Sequence, residues 1–449
     1  MFSKLSTDCL HEIIAYLEED KVALHSCLLV NRLWCRISVR ILWRNIWSIY
    51  EYTITFKHGK RMATAILSTL ISCIPNESKE ILHNNKIFIP TPTPNPPLFN
   101  YASFCKVLSI NGIYKIISIS LQFFKNKIFI ILKEMIKMFN NQISSIKSLI
   151  YYDYYDMIIP FPYLPDYYKN LLELRCNSNI NSEFFYKLSQ TCHNLKSLTI
   201  EFDNNVSNVI KDLISLQKNL KNLNLFVYEN NGWINLLPFL SKHSNTVTKL
   251  HFYGNNYTLS LSFVASFLNL KDIKFSYIDE NFKDLQHVTF PNLQILKVLY
   301  RSKSDYIINF LENNGENLKE CYFGESNNDL NLSIAKFCPN LKKLFVEFNN
   351  DEIVTLITLF NNCKYLESIG SWFGRELIPE NLETFFLNWK NRIPLKPINL
   401  IVFKNNDMGL ESNRENLKII EKYKNLNIIK KFKIRGITDI EYEEVLDYY

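Results

Sequence analysis

The sequence is poor in glycine, with 10 among 449 residues, and it lacks the motifs that depend on glycine. It contains no GxGxxG fingerprint, no phosphate-binding P-loop and no G-x-S-x-G nucleophile turn. An HExxH pair is also missing, and the 8 histidines do not group with cysteines at zinc-ligand spacing. The sequence therefore predicts no cofactor, no metal and no catalytic activity of its own.

Long uninterrupted hydrophobic runs are missing as well. No window holds the roughly 18 uncharged apolar residues that a membrane-spanning helix needs, and lysines interrupt the nearest candidate, residues 114–139. We expect that segment to form an amphipathic or buried helix, and we expect no membrane partner. The 10 cysteines form no CxxC pair, and acidic residues enter the N-terminal segment before any long apolar run. These features predict reduced thiols and a cytoplasmic and/or nuclear location.

Positive charge is concentrated toward the end of the sequence. The formal net charge is +7, and residues 388–435 contain 12 Lys and Arg against 4 Asp and Glu, whereas residues 436–449 form an acidic tail. Such a basic region is compatible with nucleic-acid binding. Solvated lysines on helix faces are the simpler explanation, and we expect that nucleic acid is not the partner.

The central part of the chain carries a short repeat that reads N-L-x-x-L-x-L or a close variant. The second residue of each copy falls at positions 146, 171, 195, 220, 247, 270, 293, 318, 341 and 366, a mean period of about 24 residues. In one copy, Leu195, Leu198 and Ile200 have the spacing of a turn followed by a strand whose alternate side chains face a core. Residues between the strands, such as 205–217, have helical apolar spacing.

A single strand–helix repeat is too small to bury its own apolar face, so stacked repeats must pair their strands in parallel and share one core. This pattern resembles leucine-rich repeats. The resemblance implies an α/β fold, a leucine-rich-repeat solenoid of parallel strands backed by helices, over residues 145–435, with degenerate repeats toward its C-terminal end. Cys192, Cys338 and Cys363 precede three of the repeats, as in the cysteine-bearing subtype. We expect them to be small buried apolar groups.

The N-terminal segment shows helical periodicity instead. Leu10, Ile13, Ile14 and Leu17 fall on one helix face, and Ser6 or Thr7 can cap that helix. Three of the six tryptophans then crowd into residues 30–47, together with four arginines. The pattern predicts three short helices before residue 50, which bury too little core to be robust alone.

Residues 5–47 resemble an F-box. The matching positions are Leu5, Asp8, Leu10, Ile13, Leu17, Val30, Arg32, Trp34, Leu42 and Trp43. The sequence departs from the family pattern at Ser6, where proline is usual, and at Asn31, where cysteine is common. F-box proteins with leucine-rich repeats bind a Skp-type adaptor, and through it a cullin–RING ligase, while their repeats select the substrate.

The resemblance implies that this protein is the substrate-recognition subunit of an SCF-type (Skp–cullin–F-box) ubiquitin ligase. It divides the chain into an F-box-like all-α module at 1–48, a helical connector at 49–144 with a proline-rich loop at 90–97, the repeats at 145–435 and the tail at 436–449. The implied adaptor-binding residues are Leu5, Leu10, Ile13, Ile14, Leu17, Val30, Trp34 and Trp43.

A protein substrate of unknown identity is expected on the concave surface, because the strand residues between the inward leucines face outward. These outward positions become more aromatic and apolar toward the last regular repeats. The predicted substrate-binding residues are Lys297, Leu299, Tyr322, Phe345, Glu347 and Trp372. Packing of a C-terminal cap over some of them is the competing interpretation. Two other functions stay open: a leucine-rich-repeat scaffold outside any ligase, and a nucleic-acid-binding protein that uses the basic C-terminal region.

Overall fold

The computed structural model describes the following residues: 6–48, 59–92, 97–121, 125–153, 166–202, 206–228, 231–254, 260–276, 280–299, 302–324, 327–348, 352–373, 378–404 and 413–436. Leu5, part of the proline-rich loop and the tail beyond residue 436 lie outside these ranges. The chain divides into two compact units. The first comprises residues 1–200 and 207–219, and the second comprises residues 201–206 and 220–449.

Helices dominate the first unit. Its described α-helices are α1 (Thr7–Ala15), α2 (Lys21–Leu28), α3 (Arg32–Leu42), α4 (Gly59–Ser72), α5 (Asn76–Asn84), α6 (Ile110–Leu121), α7 (Lys125–Gln142), α8 (Ser182–Thr191) and α9 (Ile210–Ser215). Its strands are β1 (Val107–Ser109), β2 (Ser148–Tyr151), β3 (Glu173–Asn177) and most of β4 (Ser197–Phe202). Short 3-10 segments occur at Trp43–Asn45, Tyr101–Phe104 and Asp166–Asn170.

Strands dominate the second unit. They are β5 (Asn222–Val227), β6 (Lys249–Gly254), β7 (Asp272–Ser276), β8 (Ile295–Val298), β9 (Glu320–Phe323), β10 (Lys343–Phe348), β11 (Ser368–Phe373), β12 (Ile398–Lys404) and β13 (Ile429–Gly436). The described α-helices are α10 (Leu237–Leu240), α11 (Ser304–Asn314), α12 (Asn328–Phe337), α13 (Ile353–Asn362), α14 (Pro379–Lys390) and α15 (Arg414–Asn425). The 3-10 segments are Asn231–Leu236, Ser241–His243, Ser262–Ser266, Glu280–Leu285 and Gly315–Asn317.

Helices α1–α3 form a small module with a core of its own, as the sequence predicts. Ser6 Oγ accepts a hydrogen bond from the Cys9 amide at 3.2 Å and caps α1. Asn31 Oδ1 accepts one from the Trp34 amide at 3.0 Å and caps α3. Both departures from the F-box pattern are therefore N-caps, which satisfy amides that the helix itself leaves unbonded. The core of the module consists of Leu10, Ile14, Leu24, Ile37 and Ile41.

The second and third tryptophans of the N-terminal cluster join this module to the connector. The Trp43 ring centroid lies 4.6 Å from that of Tyr101, and Trp47 Nε1 donates a hydrogen bond to the Val107 carbonyl oxygen at 2.7 Å. A Cβ on Gly112 would lie 2.8 Å from the Trp47 ring, so a larger residue in α6 would push the indole away. Both tryptophans are buried by these contacts.

The sheet begins earlier in the chain than the repeat predicts. β1 lies inside residues 49–144, for which the sequence predicts a helical connector with a proline-rich loop. It pairs in parallel with β2, with Leu108 opposite Leu149. These partners are 41 positions apart (149 − 108), because α6 and α7 both lie between them. β1 therefore falls off the 24-residue period. The same two helices divide the apolar segment 114–139, and within the described ranges no helix is long and apolar enough to cross a bilayer.

In the second unit, β5 to β13 follow one another in chain order, and each is parallel to the next. One face of these strands consists of fully buried residues, such as Phe275. The Phe275 ring packs edge-on against Phe282, which in turn packs against Phe310 of α11. Parallel strands backed by helices confirm the predicted α/β leucine-rich-repeat fold, and the described residues contain thirteen such strands.

The degenerate C-terminal repeats still form strands. Residues 394–403 and 425–434 match the repeat pattern only loosely, and β12 and β13 overlap them. By contrast, "NLETFFL" at 381–387 lies in α14, although its letters match the start of a repeat. Its buried residues share one helix face and are Leu382, Phe385, Phe386 and Trp389.

Candidate interaction surfaces

The N-terminal module exposes large apolar side chains on all three of its helices or their ends. Tyr16 is 90% exposed, Leu29 is 79% exposed and Val30 is 57% exposed. The full set of exposed apolar side chains in α1–α3 and the adjoining turns is Ile13, Tyr16, Val22, Leu29, Val30 and Leu33. None of them belongs to the module core, so the module folds around other residues and leaves this apolar area to solvent.

The structure divides the predicted adaptor-binding residues into three groups. Ile13 and Val30 are exposed, and Leu17 and Trp34 pack at the edge of the module core while they remain partly accessible. Leu5 lies outside the described residues.

Three of the predicted adaptor-binding residues are interior. Leu10 and Ile14 are core residues, and Trp43 packs against Tyr101 of the connector. The side chains of all three are enclosed. The sequence predicts that some residues of this set belong to the core, but helical spacing alone does not tell which of two apolar faces is the inner one. The part of these three residues in adaptor binding stays a prediction.

Sequence reasoning missed Tyr16, Val22, Leu29 and Leu33. Each is a large apolar residue within a helix or directly after its end, and each lies outside the buried stripe of that helix.

On the face of the second-unit strands that does not pack on the helices, the registers place one residue of each strand in line. This central row runs Asn224, His251, Lys274, Lys297, Tyr322, Phe345, Gly370, Ile401 and Lys433. The residues two positions earlier in each strand form a second row, the preceding row, which begins Asn222, Lys249, Asp272, Ile295, Glu320 and Lys343.

An aromatic stack stands in the central row. The Tyr322 and Phe345 rings are parallel within 6°, with their centroids 4.0 Å apart. Phe345 is only 7% exposed, although it points away from the helices, because Tyr322 and Ile401 pack against it and its ring covers Gly370. A side chain at Gly370 would overlap that ring.

A second aromatic group lies on β5 and β6. The Phe226 and Tyr253 rings are stacked with centroids 5.9 Å apart, and Tyr228 packs against Tyr253 at 5.3 Å. All three rings are half-buried. The ring of His251, also on β6, meets the Phe226 ring edge-on with the centroids 5.3 Å apart.

Two lysines, Lys274 and Lys297, stand side by side in the central row between the aromatic groups. Burial, with help from these two lysines, lowers the pKa of His251 well below its usual range, so this ring is neutral at pH 7. His251 Nε2 lies 3.3 Å from Ser276 Oγ. Burial also raises the pKa of the Asp272 carboxyl despite the opposing charge of nearby lysines.

Charges of the preceding row neutralise one another. Lys343 Nζ lies 2.6 Å from Glu320 Oε1, and Lys249 Nζ lies 3.9 Å from Asp272 Oδ2. From β6 to β10 this row therefore holds two lysines and two carboxylates, whereas the central row holds two lysines and no carboxylate.

Of the predicted substrate-binding residues, Lys297 and Tyr322 are half-buried in the central row, and Phe345 is enclosed beside them. Leu299 is buried, and its contact with a substrate stays a prediction. It follows the end of β8, and the backbone of Gly324 lies directly against its carbonyl group. The side chains of Glu347 and Trp372 lie outside the described residues.

The cysteines of the repeats are interior, as expected. Burial raises the pKa of the Cys192 thiol to about 12. Burial also raises the pKa of the Cys363 thiol to about 12, with a further contribution from the neighbouring Cys338. Such thiols stay protonated at neutral pH and are poor nucleophiles. Within the described residues, no group of three or more His, Cys, Asp or Glu side chains could hold a metal ion.

Three bases of the C-terminal region contact other residues of the fold. Lys422 and Lys396 form ion pairs with Glu383 and Glu367 at 2.5 and 2.7 Å. Arg392 Nη2 donates to the Cys363 carbonyl oxygen at 2.6 Å, and its guanidinium lies over the Trp389 ring. These intramolecular contacts occupy part of the positive charge of residues 388–435, which makes that charge less available for binding a polyanion.

No family model matches the sequence, and no curated protein matches it at a significant level. Among solved structures, a chain of the Rad7–Elc1 complex from yeast is similar with a TM-score of 0.38 and 12% identity, over 90% of this chain and 94% of that chain. The leucine-rich repeat-containing protein LegL7 from Legionella pneumophila is similar with a TM-score of 0.35 and 12% identity, over 63% and 92% of the two chains. Likenesses at this level carry no argument about what this chain does.

Proposed function

We propose that this protein is the substrate-recognition subunit of an SCF-type ubiquitin ligase, without catalytic activity of its own. Helices α1–α3 bind a Skp-type adaptor, and through it the cullin–RING ligase, while the open face of the second-unit strands binds a protein substrate. The F-box resemblance of residues 5–47 motivates the proposal. The proposed site of action is the cytoplasm and/or nucleus, where the unpaired cysteines remain reduced.

The observation that carries the proposal is the set of six exposed apolar side chains in a module of some forty residues. Full burial of one such side chain is worth roughly 1.5–3 kcal/mol. Covering even half of the set would thus supply several kcal/mol toward a complex. Exposed apolar patches of this kind mark partner surfaces, and large apolar anchors dominate binding energy at interfaces.

The adaptor assignment is tested with the variant Leu29→Glu/Val30→Glu. Both side chains are exposed, so the charges leave the module core intact but place carboxylates in the proposed interface. We expect binding of the full chain to a co-expressed Skp-type adaptor to weaken at least about tenfold, which is 1.4 kcal/mol or more. Titration calorimetry and quantitative co-purification measure it.

The matched control is Leu417→Glu, which changes a 40% exposed leucine of α15 in the same way. It should leave adaptor binding unchanged, and circular dichroism should be the same for all three proteins. Equal adaptor affinity of the wild type and the double variant would remove the basis of the proposal. Charges at Leu10 or Ile14 are unsuitable for this test because they would unfold the module core.

A further inference from the structure

The last strand of the sheet, β13, has one open edge. Within the described residues β12 pairs with one side of it, and no strand pairs with the other. Such an edge presents backbone N–H and C=O groups with which a further strand can pair. Apolar side chains of the last repeat, Leu426 and Ile434, are exposed as well. A solenoid end of this kind needs a cover with a polar outer face.

The two faces of β13 differ in character. Its register with β12 places Ile434 opposite the buried Val402, on the side of the helices, and Phe432 lies on that same side. Lys431 and Lys433 lie on the open face. Neither lysine forms an ion pair within the described part of the chain. The strand therefore carries positive charge on one face and apolar groups on the other.

The acidic tail, which follows β13 directly, has the complementary pattern. It contains five acidic residues and no Lys or Arg. Asp439, Glu441 and Glu443 alternate with Ile440 and Tyr442. Because successive side chains of a strand point to opposite faces, this segment as a strand would have three carboxylates on one face and two apolar groups on the other.

A short turn brings the two patterns into register. Hairpin loops of three residues are common, and a loop at 436–438 would set residues 439–443 antiparallel to β13. The opposed pairs would then be Lys433 with Glu441, Lys431 with Glu443, Ile434 with Ile440, and Phe432 with Tyr442. Opposite charges and apolar groups in such pairs stabilise a sheet. A shift of one residue would turn the carboxylates toward the apolar side, so the alternation specifies this pairing.

Charge also distinguishes this occupant from a second copy of the chain. If two copies paired β13 with β13 in antiparallel fashion, the lysines of one strand would lie beside the lysines of the other. Like charges directly opposite one another destabilise a strand pair. The tail brings the opposite charge and is already attached at the end of β13.

We propose that the acidic tail folds back along the open edge of β13 as an antiparallel strand. It covers Phe432 and Ile434, neutralises Lys431 and Lys433, and closes the C-terminal end of the solenoid. The covered edge is then withheld from strand pairing with other chains, and the two lysines are withheld from polyanions. This goes beyond the proposed function and depends on neither the adaptor nor the substrate.

Hydrogen exchange of the full chain, followed by mass spectrometry, tests the proposal. The amides of residues 439–443 should exchange at least about tenfold more slowly than those of the same sequence in an unstructured peptide, because the strand pair protects them. Glu441→Lys/Glu443→Lys should abolish this protection. Adding Lys431→Glu/Lys433→Glu to that variant should restore it, because each opposed pair regains opposite charges.

The matched control is Glu421→Lys/Asp447→Lys, which changes the net charge by the same amount. It alters an exposed glutamate of α15 and a tail aspartate outside the opposed pairs. Protection of residues 439–443 should be unchanged in this control. Thermal unfolding of every variant establishes that its fold is retained.

Three outcomes would overturn the proposal. Unprotected tail amides in the wild type would show that the lysines of β13 only keep other strands from its edge. Protection that survives the charge reversal, or that the exchanged charges do not restore, would refute the pairing. Protection that rises with protein concentration would assign the tail to a second copy. The Leu29→Glu/Val30→Glu test involves none of these residues, so either proposal can fail while the other stands.

Discussion

At position 370, the lack of a side chain decides how residue 345 is packed. The central row places Gly370 beside Phe345, and the phenylalanine ring occupies the space that a Cβ would need. The alternation of side chains along a strand correctly predicts that Phe345 points away from the helices. It cannot predict that Phe345 is enclosed there, because that depends on which residues the neighbouring strands bring into register.

Gly370→Ala should lower the free energy of unfolding by about 1–3 kcal/mol, the usual cost of forcing an extra carbon into a packed site. The entropic gain from replacing glycine is smaller, about 0.4–1 kcal/mol, so the clash prevails. Chemical denaturation of the full chain measures the change.

A second substitution shows whether the ring causes that loss. Phe345→Leu removes the ring that the alanine would meet, so Gly370→Ala/Phe345→Leu should lose at least about 0.5 kcal/mol less than the sum of the two single changes. Simple additivity of the two losses would show that the clash lies elsewhere.

At the scale of single elements, the sequence predicts where α1 starts, whereas residues 381–387 match both a strand pattern and a helix pattern. The sequence predicts Ser6 or Thr7 as the cap of α1, and in the structure the cap is Ser6. "NLETFFL" matches the leucine-rich-repeat letters, yet Leu382, Phe385 and Phe386 also have the i, i+3, i+4 spacing of a helix face, and Trp389 extends it. The helical spacing prevails in α14. Its position, 16 residues after the previous repeat (382 − 366), was the sequence signal that it is out of period.

The cap of α3 gives a prediction at this scale. Asn31→Ala removes the acceptor of the Trp34 amide and should lower the stability of the module by about 1 kcal/mol. Asn31→Ser keeps a side-chain oxygen there and should restore most of that loss. Thermal unfolding followed by tryptophan fluorescence measures both. Equal destabilisation by serine and alanine would show that the hydrogen bond from the Trp34 amide does not account for the contribution of residue 31 to stability.

At the scale of the whole chain, changes in the sequence pattern predict boundaries that differ from those of the two compact units. The resemblance separates residues 1–48 from the connector, whereas the first compact unit contains both, together with the first strands of the repeats. The 24-residue period does not predict β1, because two helices lie between β1 and β2 and lengthen that repeat. The contacts of Trp43 and Trp47 are equally invisible in the sequence, since Tyr101 and Val107 lie more than fifty positions away.

These contacts predict that residues 1–48 do not form a stable domain alone. Isolated, Trp43 and Trp47 would lose Tyr101, Phe139 and the carbonyl group of Val107, and two large apolar side chains would be left in water. Burial of each side chain is worth roughly 1.5–3 kcal/mol. The sum is comparable to the whole stability of so small a helical unit.

We therefore expect a fragment of residues 1–48 to show little helical circular dichroism and no cooperative thermal transition. A fragment of residues 1–219, which supplies the rest of the first compact unit, should show both. Trp47→Ala in the longer fragment should lower its melting temperature, because the Val107 carbonyl loses its donor and the space beside Gly112 is left empty. A fragment of residues 1–48 that is helical and unfolds cooperatively would show that α1–α3 are stable without the contacts of Trp43 and Trp47 to the connector. The two tryptophans could then contact a partner instead.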